Sequence, residues 1–142
     1  MKLYFAAPLF TAAERDWNAA LAGAVRAAGH EVYLAQENEP GKSAPEIFAV
    51  DIHGIDWAEG LVAIMDGADP DSGTCWEVGY AYGRGKPVVM IRTDIRNTAS
   101  DGSAYNAMLS ESATIRVDLP AASMAEVAAA VIEALQRVEA RR

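Results

Sequence analysis

The chain is short of cysteine, histidine and clustered basic charge, and each shortage removes a class of function. Cys75 is the one cysteine in 142 residues, so no disulfide can close within the chain and nothing points to an oxidising compartment. The two histidines, His30 and His53, stand too far apart for metal-ligand spacing. No metal and no cofactor is expected. Acidic residues outnumber basic ones 20 to 12, giving a formal net charge of −8. Lys42, Arg84 and Lys86 are scattered, and Arg137, Arg141 and Arg142 sit at the tail. A nucleic acid would meet repulsion with no basic patch to offset it. No segment approaches the roughly 18 apolar residues that cross a bilayer. The N-terminus has no basic leader before its apolar segment. These absences predict a cytoplasmic protein with small neutral or cationic ligands and no membrane partner. Phosphate-binding glycine motifs are missing too. Ala6-Ala7-Pro8 follows the first apolar run where GxGxxG would stand, and no Walker A sequence occurs.

What is present is a regular alternation of strand and helix patterns. Residues 2–7 read as a strand closed by Pro8. Thr11 and Glu14 form a capping box for a helix over 12–28, with Trp17, Leu21 and Val25 on one stripe and Gly29 at its end. Residues 31–35 read as a strand, and 36–43, with Pro40 and Gly41, as a polar loop. Ser43 caps a helix running to about residue 58, with Ile47, Val50 and Ile55 inward. Residues 61–65 are almost wholly apolar, as befits a strand covered on both faces. A helix follows over 73–84, whose Gly79 and Gly83 predict close packing on the sheet. Strands at 87–92 and 114–118 flank a polar loop over 93–105 and a short helical turn over 106–109. Ser123 caps a last helix to about residue 141. This order predicts an α/β fold of one domain, residues 1–142. Its five-stranded parallel sheet has the flavodoxin-like order 2-1-3-4-5, with helices on both faces.

In such a sheet, ligands bind beyond the carboxyl ends of the strands. Acids crowd that edge: Asp66, Asp69 and Asp71 follow the third strand, Glu77 opens the next helix, and Asp51 precedes the strand. Tyr4 and Phe10 flank the end of the first strand, and Asn106 and Met108 follow the fourth. Grouped carboxylates can divide two tasks. One attacks a sugar carbon, and another exchanges a proton with the leaving group. Each residue also has a plain structural reading. Thr74 with Glu77 fits a capping box, Asp71 fits an N-cap, and Asp66 and Asp69 suit turns.

Three segments carry a resemblance. Asp71-x-Gly-Thr-x-x-Glu77-x-Gly-x-Ala81, the opening Tyr4-Phe-Ala-Ala-Pro-Leu-Phe10, and Arg92-Thr-Asp-x-Arg96 followed by Asn106-Ala-Met108 resemble the nucleoside 2-deoxyribosyltransferases, in the right order over nearly the whole chain. The resemblance implies the flavodoxin-like fold and the exchange of 2-deoxyribose between nucleobases through a covalent sugar ester. It implies Glu77 as nucleophile, Tyr4 as its orienting partner and Asp51 as the residue that contacts the base and manages its proton. Asp71 would hold sugar hydroxyls. Phe10, Gly73 and Gln36 join the substrate-binding set. Asn106 and Met108 would complete a neighbouring subunit's site, which implies a homo-oligomer. Partners would be deoxynucleosides and free nucleobases.

Three rival readings remain. Relatives with the same nucleophile hydrolyse deoxynucleoside 5′-phosphates, but they need a polar loop after the first strand. Ala6-Ala7-Pro8-Leu9-Phe10 offers no charge there, so free nucleosides are favoured. A non-catalytic nucleoside or nucleotide sensor would use the pocket without Glu77 as nucleophile. A phosphoacceptor receiver domain would use Asp66, but the paired acids after the first strand are missing.

Overall fold

Period-two alternation in the first strand, β1 (Lys2–Ala6), decides which residues reach the site. Leu3 and Phe5 point to one face of the sheet, Tyr4 and Ala6 to the other. The computed structural model describes residues 1–38, 41–96 and 105–141. The remaining strands are β2 (Glu31–Leu34), β3 (Gly60–Ile64), β4 (Val88–Arg92) and β5 (Ile115–Asp118). All pair in parallel, in the order β2-β1-β3-β4-β5, as the sequence predicts. The helices are α1 (Ala12–Ala27), α2 (Ala35–Asn38), α3 (Ala44–Trp57), α4 (Ser72–Gly83), α5 (Ala107–Ser110) and α6 (Met124–Glu139). Among the described residues, no helix is long and apolar enough to cross a membrane.

The two faces are distinct cores. Leu3, Phe5, Val62, Ile64, Val89 and Ile91 pack with Leu21 and Val25 of α1 and with Val127, Val131 and Leu135 of α6. Tyr4, Ala6, Leu61, Ala63, Met65, Val88 and Met90 pack with Ile55 of α3 and with Val78 and Ala81 of α4. Central strands β3 and β4 are buried along their whole length, whereas edge strand β5 alternates buried and exposed. Capping boxes at Thr11–Glu14, Ser43–Glu46 and Ser123–Glu126 start the three long helices where the sequence puts them.

Two sequence expectations are corrected here. The polar stretch after β2 begins with a helical turn, α2, closed by Asn38 Nδ2 donating to Leu34 O at 2.9 Å, so residues 36–38 are not loop. Gly79 and Gly83 do not pack on the sheet. Thr74, Val78 and Ala81 take the sheet-facing arc of α4, which turns both glycines outward, with open space where a Cβ would stand. The loop expected over 93–105 falls partly on 97–104, which lie outside the described residues.

The carboxyl edge of the sheet is braced by Asp66. Its carboxylate accepts from Thr93 N at 2.6 Å, Thr93 Oγ1 at 2.6 Å and Asp94 N at 2.9 Å. Buried Arg92 adds bonds to the carbonyls of Met65 (2.6 Å), Gly67 (3.0 Å) and Arg96 (2.8 Å). The exits of β3 and β4 are thus tied together beside the cleft. Replacing Asp66 with Ala removes three bonds to an ionised group and leaves two backbone N–H groups without that acceptor. A loss of about 2–3 kcal/mol in unfolding free energy is expected, read as a lower denaturant midpoint at unchanged m-value.

Candidate active site

Three segments converge at the carboxyl edge on the α3/α4 face. Strand β1 supplies Tyr4 and leads into Leu9 and Phe10, α3 supplies Asp51, and the start of α4 supplies Asp71, Gly73 and Glu77. All of these but the buried Tyr4 line two joined lobes of one cleft, which share Ile47, Asp51, Gly73 and Glu77. One lobe, about 390 Å³, is apolar apart from the two acids: Ala44, Phe48, Ile52, Ile55 and Trp76 complete it. The other, about 240 Å³, adds Ala7, Leu9, Phe10, Ala35, Asp71 and Thr74. A larger depression of about 810 Å³ opens beside Lys86, Pro87 and Thr114, at the amino ends of β4 and β5, and no candidate acid reaches it.

Tyr4 is fully buried and donates its hydroxyl to Glu77 Oε1 at 2.5 Å. Burial first, and then the negative charge of Glu77 and Asp51, drives the Tyr4 pKa far above its ordinary value. Tyr4 is therefore a permanent donor at any working pH. Asp51 adding to that shift also marks its nearness to the Tyr4–Glu77 pair.

Asp71 is the N-cap of α4. Its Oδ2 accepts from Thr74 N at 2.8 Å and from Thr74 Oγ1 at 3.1 Å. That anchoring fixes the carboxylate in the cleft wall. Gly73 keeps the wall open, since a Cβ there would come within 3.1 Å of Asp71 Oδ2. The neighbouring thiol of Cys75 is half-buried. Its pKa is raised by burial and then by Asp71 and Asp69, which holds it neutral and poorly nucleophilic.

Other candidates lie farther out. Phe10 stands at the cleft mouth, 76% exposed. Gln36 is buried with its amide turned away: Oε1 accepts from Asn18 Nδ2 at 3.2 Å and Nε2 donates to Arg15 O at 2.9 Å. The structure does not bring Gln36 to the cleft lining. Asn106 caps α5, accepting from Leu109 N at 3.3 Å, and Met108 is 82% exposed. Neither lines the cleft of its own chain, and Met108 stands beside Val78, Gly79 and Tyr82. Among the described residues, no group of three or more His, Cys, Asp or Glu is placed to hold a metal ion.

Sequence reasoning missed the aromatic wall. Phe48 and Trp76 meet edge to face at 5.6 Å, and Trp76 stacks on Tyr80 at 5.4 Å. A signal for it exists: positions 44, 47, 48, 51, 52 and 55 follow helical spacing, an apolar stripe with one acid, Asp51, set into it.

An open parallel α/β sheet with a cleft beyond the carboxyl ends of its strands defines a class of proteins that bind small molecules there. The chain belongs to the nucleoside 2-deoxyribosyltransferase family, whose model matches residues 3–133. Among solved structures, a conserved protein from Enterococcus faecalis V583 is 25% identical with a TM-score of 0.77, covering 96% of this chain and 98% of that one. A 2-deoxyribosyltransferase from the psychrotolerant bacterium Bacillus psychrosaccharolyticus is 26% identical with a TM-score of 0.71, covering 90% of each chain. A CMP N-glycosidase from Clostridium botulinum shares the fold at 16% identity and a TM-score of 0.62, covering 97% of this chain and 99% of that one. No curated protein matches the chain in sequence.

Proposed function

We propose that this protein transfers 2-deoxyribose between nucleobases through a glutamyl ester on Glu77. The observation that carries the reading is the Tyr4 hydroxyl held 2.5 Å from Glu77 Oε1 at a cleft that Asp51 and Asp71 also line. In the first step a Glu77 carboxylate oxygen bonds to C1′ as the C1′–N bond breaks, and Asp51 delivers a proton to the departing base. In the second, a nitrogen of the acceptor base attacks C1′, the ester bond breaks, and the acceptor's proton returns to Asp51. Two displacements at one carbon retain configuration. A 2-deoxyribosyl centre lacks the electron-withdrawing 2-hydroxyl, so its oxocarbenium-like transition state forms readily at a single carboxylate. Water can replace the acceptor, giving slow hydrolysis.

Asp71 holds sugar hydroxyls, Gly73 leaves room for them, and Phe10 covers the base. Gln36 acts from behind the Ala35 wall rather than by direct contact. Asn106 and Met108 serve the cleft of a second copy in a homo-oligomer, which suits their exposure and their distance from their own cleft. The whole chain acts as one domain in the cytoplasm.

The deciding experiment incubates a deoxynucleoside with a different free base and follows products by chromatography. Exchange with the base present, and slow release of the original base without it, is expected. Hydrolysis alone with strong preference for a deoxynucleoside 5′-phosphate would replace this reading by an N-glycosidase. Ligand binding with no turnover of any nucleoside would replace it by a sensor.

A further inference from the structure

Tyr33 lies under the site without touching the cleft. The parallel register of β1 and β2 pairs Tyr4 with Tyr33, and their rings stack at 5.5 Å with 18° between planes. The Tyr33 hydroxyl donates to Val50 O at 3.0 Å, on the residue preceding Asp51. Gly54, one turn farther along α3, passes directly over the ring. A Cβ at that position would stand 2.7 Å from Tyr33 Cε1, 2.8 Å from Cδ1 and 2.9 Å from Cζ. Trp57 closes a further side at 6.4 Å. One phenol is therefore wedged between the strand that carries the Glu77 partner and the helix that carries Asp51.

We infer that Tyr33 is a positioning residue for both acids, its ring setting Tyr4 against Glu77 and its hydroxyl setting the turn of α3 that holds Asp51, with Gly54 shaped to admit it. The inference rests on the proposed glycosyl exchange. A displacement of about 1 Å in a reacting group can cost on the order of 100-fold in rate. A wedge that fixes two such groups at once is a point where sequence can tune the chemistry without touching substrate.

The two halves of the wedge separate experimentally. Tyr33→Phe keeps the stacked ring and removes the hydroxyl's bond to Val50 O, so its effect falls first on the turn of α3 that holds Asp51. Gly54→Ala keeps the hydroxyl and displaces the ring that Tyr4 stacks on, together with α3 itself, so it disturbs the Glu77 side as well as Asp51. Two donors are compared: 2′-deoxyadenosine, whose base needs a proton to leave, and 7-methyl-2′-deoxyguanosine, whose cationic base needs none. For Tyr33→Phe the expected result is a kcat about tenfold lower with the first donor and within twofold of wild type with the second, at unchanged KM and Tm. For Gly54→Ala, kcat falls about tenfold or more with both. Wild-type kcat in either variant, or an equal loss with both donors in Tyr33→Phe, overturns the inference. Absence of exchange in the wild-type protein would instead sink the proposed function, so the two failures are told apart within one set of assays.

Discussion

Glu77→Gln is expected to lower base exchange by roughly 10⁴-fold or more, the scale on which removal of a covalent nucleophile acts. The physical case is narrow. The amide has nearly the volume of the carboxylate, and its oxygen can still accept from Tyr4, whose hydroxyl stands 2.5 Å from Oε1 in the wild-type chain. Folding and cleft shape are therefore retained, while the negative charge and nucleophilic lone pair are lost. Intact-protein mass spectrometry after acid quench gives the second readout. The wild-type chain should gain one 2-deoxyribosyl unit in the presence of donor without acceptor, and Glu77→Gln should gain none. Exchange within tenfold of wild type in this variant would remove Glu77 from the mechanism.

Asp51→Asn carries the second largest effect. General acid catalysis contributes about 10²–10⁴-fold, so turnover of ordinary deoxynucleosides should fall by about 10³-fold. The loss should shrink to less than about tenfold with a base that departs without a proton. Asp51 suits this division. It sits in a lobe whose remaining lining is Ala44, Ile47, Phe48, Ile52, Ile55, Gly73 and Trp76 with Glu77. Equal losses with both kinds of donor, measured under single-turnover conditions, would assign Asp51 to binding rather than to proton transfer.

The sheet order was readable because each apolar strand run is followed by a helix start with its own cap. Right-handed crossovers then leave few arrangements. The placement of Tyr4, Asp71 and Glu77 at one edge of the sheet was readable for a related reason. A strand end and a helix N-terminus are rigid markers, and fixed spacing from them fixes direction. Gln36 was not. Its residue type suits base recognition, but the turn of α2 points it at Asn18 and the Arg15 carbonyl, and no local pattern in residues 35–38 announces that turn. Spacing alone does not give the facing of Gly79 and Gly83, because it cannot say which arc of α4 meets the sheet. Burial of Val78 and Ala81 settles it. Phe48 and Trp76 come from separate helices, and their contact is a tertiary fact.

The two lobes meet at a waist formed by Ile47, Asp51, Gly73 and Glu77. With the proposed chemistry, that waist dictates a timetable. The ester takes one face of C1′ and both bases must use the other, so the first base must depart before a successor can approach. Successive rather than simultaneous occupancy produces parallel lines in double-reciprocal plots when both reactants are varied. It also means that surplus free base, seated early, keeps the donor out and slows the traffic it is meant to complete.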